Sequence, residues 1–143
     1  MRAAVGIAVS LKRLTALTAL NALTALTAQA AQAACPLAPT AAPVMLSGPV
    51  QTVWQAQPAT IVVGQPFALL ITLCPADAQL LWVDATMPEH RHGMNYRASL
   101  KPLGDGRWRA EGLLWHMSGR WELRLDVLAQ GADHRLRQSV QLP

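Results

Sequence analysis

Residues 87 to 94 run Met-Pro-Glu-His-Arg-His-Gly-Met, and 22 residues beyond Met94 the pair His116-Met117 brings the same two chemistries again. The octet holds two of the four histidines and two of the five methionines, in a chain with one tyrosine and one phenylalanine. Imidazole and thioether are both metal donors. In an extended backbone alternate side chains share a face, which groups His90, His92 and Met94. Neutral imidazole accepts Cu(I) and Cu(II), soft thioether sulfur favours Cu(I), and zinc and magnesium gain little from methionine. The pattern predicts a copper site with His90, His92 and Met94 from one segment and His116 or Met117 from the second. The plainer reading of the same residues is a polar loop with core-filling methionines and no metal. His134, in Gln-Gly-Ala-Asp-His, reads as a solvent-exposed hairpin-turn residue outside the cluster.

The elements that must position these donors begin after a leader. Arg2, Lys12 and Arg13 give a positive start, Leu14 to Ala28 is an uncharged Leu-Thr-Ala repeat, and Ala-Gln-Ala stands at 28 to 30 and again at 31 to 33. This pattern predicts a secretory signal peptide over residues 1–33, cleaved after Ala33, with Ala30 the next site. Lipoprotein processing at Cys35 and an uncleaved anchor over the 21 uncharged residues from Leu14 to Ala34 are the alternatives. Export places the mature protein in the periplasm. A Pro/Ala-rich lead-in over 34–48 and one domain over 49–143 follow. Two cysteines in an exported chain predict a Cys35–Cys74 disulfide closing a loop of about 40 residues, with Cys74 as a metal ligand the alternative.

Removing the three basic residues of the leader from the net +4 leaves nine Lys and Arg against eight Asp and Glu, or +1, with no charge before Asp77. No basic stripe with interleaved aromatics survives, which excludes a nucleic-acid surface. No serine nucleophile or glycine-rich phosphate loop is present, and Glu89 is the one acid near the histidines. These absences argue against an enzyme and against a small-molecule substrate. A blue-copper electron carrier would need a thiolate that the disulfide removes.

The domain has period two throughout. Phe67, Leu69, Ile71 and Leu73 alternate with Ala68, Leu70, Thr72 and Cys74, a strand apolar on both faces and therefore central. Leu81, Val83, Ala85 and Met87 share a face of the next strand. Trp121, Leu123, Leu125 and Val127 alternate with Glu122, Arg124 and Asp126, and Leu136, Val140 and Leu142 continue as the last strand. Turn residues at 63–66, 104–106, 118–119 and 131–133 separate the runs. Gly-Arg-Trp opens two segments, at 106 and 119, and makes Trp108 and Trp121 the expected core anchors of adjacent strands. Gly112 marks an expected bulge. The bulge decides parity: without it His116 shares a face with Trp108 and Ala110, and with it Met117 does. The fold predicted is all-β, a single antiparallel immunoglobulin-like β-sandwich of about seven strands.

The run Asp84 to Met94, the Gly-Asp-Gly hairpin, and then Leu114-Trp115-His116-Met117-Ser118-Gly119-Arg120-Trp121-Glu122-Leu123 resemble the YtkA-like and FixH-like families of bacterial exported or membrane-tethered β-sandwich proteins. The resemblance covers Ile61 to Val127. It rests on Met-Pro-x-x-x-His-Gly-Met followed in order by Met-x-Gly-x-Trp, with Ser118 where the families carry proline. It implies copper handling in the assembly of respiratory oxidases, with a membrane-bound or periplasmic copper acceptor as partner. The alternative is a metal-free immunoglobulin-like module docking on a membrane or periplasmic partner.

Overall fold

The computed structural model describes Leu37 and residues 43–143; the expected signal peptide, Cys35 and most of the lead-in lie outside the described residues. Alternating apolar side chains build nine strands: β1 (Met45–Ser47), β2 (Val50–Gln57), β3 (Pro66–Cys74), β4 (Gln79–Met87), β5 (His92–Gly93), β6 (Ser99–Gly104), β7 (Arg107–Leu114), β8 (Gly119–Ala129) and β9 (Ala132–Leu142). They form two antiparallel sheets, ordered β1-β2-β3-β7-β6 and β5-β4-β8-β9. The seven longer strands give β2-β3-β7-β6 against β4-β8-β9, the arrangement of an immunoglobulin constant domain. Two strands beyond the expected seven are the three-residue β1 and the two-residue β5. Strand pairing thus begins inside the segment read as lead-in, where Met45 is buried.

β3 is central, flanked by β2 and β7, which is why both its faces are apolar. β8 buries Trp121, Leu123, Leu125, Val127 and Ala129 and turns Glu122, Arg124 and Asp126 outward. The two strands opened by Gly-Arg-Trp are not adjacent. β7 pairs with β3 and β6, β8 with β4 and β9, and the chain crosses between sheets over residues 115–118. Trp121 is fully buried as expected, Trp108 is only partly so, and the second fully buried tryptophan is Trp115. In β4 a register shift between Leu80 and Trp82 makes Leu80 the inward residue and leaves Leu81 43% exposed, so Leu81 does not share the face of Val83, Ala85 and Met87.

His134 departs from its expected place. It lies within β9 opposite Val127, on the inward side, and its ring packs against Gly48 of the β1–β2 turn. Four residues on, Gln138 accepts a hydrogen bond at Oε1 from Trp54 Nε1 at 3.0 Å. These two side chains join the open margin of one sheet to the other, where an apolar pair would be left half wet.

Candidate metal centre

β4 ends at Met87 because Pro88 has no N–H to continue the ladder. The carbonyl of Met87 accepts from His90 N at 3.1 Å and Arg91 N at 3.0 Å, closing a tight loop, and Arg91 takes a left-handed φ of 57°. The chain returns with His92 opposite Met87 and Gly93 opposite Thr86, and Met94 N donates to Ala85 O at 3.0 Å. Cross-strand partners share a face, so His92 and Met94 lie on the inward side with Met87 and Ala85. A Cβ on Gly93 would stand 2.8 Å from Ala85 O, so only glycine lets β5 approach β4 this closely. The single extended face expected for His90, His92 and Met94 is therefore corrected. His92 and Met94 keep the alternation, whereas His90 sits exposed on the loop.

The second segment is set by the bulge at Gly112. Its φ of 81° is the left-handed region, and the β3–β7 ladder shifts register there, with Phe67 opposite Leu113 but Leu69 opposite Ala110. Parity flips: Ala110, Leu113 and Trp115 are all buried, Met117 is half-buried against the core, and His116 is exposed. Yet His116 is the residue that meets the first segment. Its ring stacks on His92 with centroids 5.2 Å apart and 30° between planes, and His90 and His92 are 5.7 Å apart. Met117 instead offers its backbone carbonyl, which accepts from Trp121 Nε1 at 3.0 Å.

The histidines are the outer end of an aromatic column. Trp121 takes His116 edge-on at 5.6 Å and stacks on Trp115 at 5.3 Å, and Phe67 meets Trp115 edge-on at 5.2 Å. The offsets and edge contacts are those that ring quadrupoles favour. Rings anchored in the core thus hold His116 against His92. Arg120, next along β8, pairs with Glu89 at 3.1 Å and ties the His90 loop to the same strand. Exposed on both sides, that pair contributes at most about 1 kcal/mol.

His92 carries the informative detail. Its Nδ1 lies 3.3 Å from the carbonyl of His90, and since a carbonyl only accepts, the contact puts the ring proton on Nδ1. In the neutral ring that tautomer leaves the lone pair on Nε2, which is buried without a hydrogen-bond partner. A neutral imidazole oriented through one nitrogen with the other free is how proteins present histidine to a metal. Among the described residues, however, no group of three or more His, Cys, Asp and Glu side chains is arranged to hold a metal ion as it stands. The donor types fit copper. Convergence on one ion requires His116 to leave its stack on His92.

Cys74 is distant from this end. Pro66, at the start of β3, pairs with Leu114 beside His116, and eight residue steps of about 3.3 Å separate Pro66 from Cys74. Cys74 is buried and is not a free thiol, and Cys35 lies outside the described residues. The residue overlooked in the sequence is Met87. It is 1% exposed, opposite His92, so a second thioether shares the face of His92 and Met94. The hairpin that brings it there was signalled by Pro88 and Gly93. No family model, curated protein or solved structure matches the chain.

Proposed function

We propose that this is a periplasmic copper-binding β-sandwich protein that holds or passes on copper. His90, His92 and His116 supply imidazole, and Met94 and Met117 supply soft sulfur for Cu(I). The observation that carries the reading is that two separate segments bring the rings of His90 and His116 within 5.7 and 5.2 Å of His92, whose Nε2 is buried without a partner. Met94 and Met117 are half-buried against the core, and their soft sulfurs suit Cu(I). Export behind a cleaved leader, a Cys35–Cys74 disulfide and the resemblance to YtkA-like and FixH-like proteins belong to the same reading, with a copper acceptor in respiratory oxidase assembly as the partner class. No step of covalent catalysis is assigned to it.

The second reading is a metal-free interaction module, favoured by the closed His92–His116 stack and the want of a preassembled trio among the described residues. Metal analysis of protein purified from the periplasm, with and without added copper, separates the two. The copper reading expects about one copper per chain after loading, and the interaction-module reading expects none above a His134→Ala protein shown to be folded.

A further inference from the structure

Building on the copper reading, we infer that His116 is both the gate of the site and the ligand exchanged during delivery, while His92 is the resident donor. His92 is held through Nδ1 by the His90 carbonyl, and its free nitrogen is buried. His116 is exposed, and no hydrogen bond fixes it among the described residues; ring contacts alone keep it over His92 and against Trp121. A side chain of that kind reorients within nanoseconds, so the closed stack is a population and not a lock. Copper entering the site needs the open population, after which His116 closes on the ion as a ligand.

Delivery follows in reverse. A donor atom of the acceptor reaches copper from the solvent side and forms the new bond, and the copper–imidazole bond to His116 breaks. Copper keeps its oxidation state throughout, and His116 takes back the electron pair of the broken bond. His92 and the half-buried sulfurs release last, because neither is reachable until the exposed side has been exchanged. His90 is exposed as well, but its loop is closed by two hydrogen bonds to Met87 O and tied down by the Glu89–Arg120 pair. It supports His92 and does not have to move.

The test uses the full exported protein, with Cu(I) under anaerobic conditions and bicinchoninate as the acceptor. Uptake and transfer rates are followed in stopped flow, beside equilibrium affinity, for wild type, His92→Ala, His116→Ala and His116→Phe. The fold of each is checked by circular dichroism. In His116→Ala, uptake and transfer should both quicken, by roughly 2- to 10-fold for uptake given the stabilisation of ring pairs of this kind. His116→Phe keeps a ring over His92 without a donor, so its uptake should stay slow while its transfer quickens. His92→Ala should lose most of the affinity. If the wild type binds no copper, the copper reading itself falls. If His116→Ala matches the wild type in both rates, or loses binding as completely as His92→Ala, the gate inference is overturned while the copper reading stands.

Discussion

Each donor at the site is defined by what holds its other atoms. His92 presents Nε2 because Nδ1 is committed to the His90 carbonyl, and it is the one histidine of the cluster set in a paired strand. Replacing His92 by Ala should weaken Cu(I) and Cu(II) binding by at least roughly 10- to 100-fold, as loss of even a supporting group does at metal sites. Competition against a chelator for each oxidation state checks this, and unchanged affinity in both would remove His92 from the site. Met94→Leu should weaken Cu(I) selectively. Its volume is nearly conserved, so the stability cost should stay below about 1.5 kcal/mol, read from the urea midpoint. His134→Ala remains the distant-histidine control, with folding verified because its ring packs on Gly48.

Two glycines shape the elements that carry the donors, for different physical reasons. Gly112 has open space where a Cβ would go but a left-handed φ, so Gly112→Ala tests backbone strain alone. It should destabilise by about 1–2 kcal/mol. Gly93 meets backbone where a Cβ would go, so Gly93→Ala must push β5 away from β4. It should cost about 1–3 kcal/mol and weaken copper binding as well, because His92 moves with β5. Stability comparable to wild type in Gly93→Ala would show that β5 is not held as described. The β6–β7 pair adds a pH effect. Hydrogen bonding and ion pairing to Lys101 and then Arg109 hold the Glu111 carboxyl below its ordinary range. A carboxylate lowered in the folded state stabilises above its unfolded pKa, and that contribution disappears as pH falls through the lower folded value. Glu111→Gln should therefore lose less stability than wild type between neutral pH and pH ~3, with unfolding midpoints at both values as the measurement. Equal losses would mean the pairing contributes nothing to folding.

At the scale of the molecule, the sandwich is closed by the core and, in the reading above, by a disulfide at the end of β3 far from the donors. The proposal of a Cys35–Cys74 bond predicts no reactive thiol in the denatured, unreduced protein. Reduction should lower stability by roughly 3–4 kcal/mol for a loop of about 40 residues. The copper affinity of the reduced protein, measured while it is still folded, should be unchanged, because Cys74 stands at the other end of β3 from the histidines. A fall in affinity on reduction would return Cys74 to the list of ligands. Intact mass of the exported protein should give Ala34 or Ala31 as its first residue, and a mass beginning at Met1 in the membrane fraction would favour an anchor.

Period-two alternation, turn residues and the both-faces-apolar run of Phe67 to Cys74 were legible by themselves. They specify an antiparallel sandwich with β3 central, because side-chain periodicity and burial are local properties of a strand. The donor set was legible too, as residue types at short spacing. What the chain alone left open was every choice that depends on a partner strand. The Leu80–Trp82 shift turned Leu81 outward, β7 and β8 separated into different sheets, and Trp115 joined Trp121 in the core. Parity after Gly112 could be framed in the sequence as two alternatives, and only the ladder with β3 selected one. Even then parity pointed Met117 inward and His116 outward. His116 reached His92 because the turn after β4 folds back beside the start of β8, a meeting set by how two sheets pack. No pattern within either segment encodes that distance.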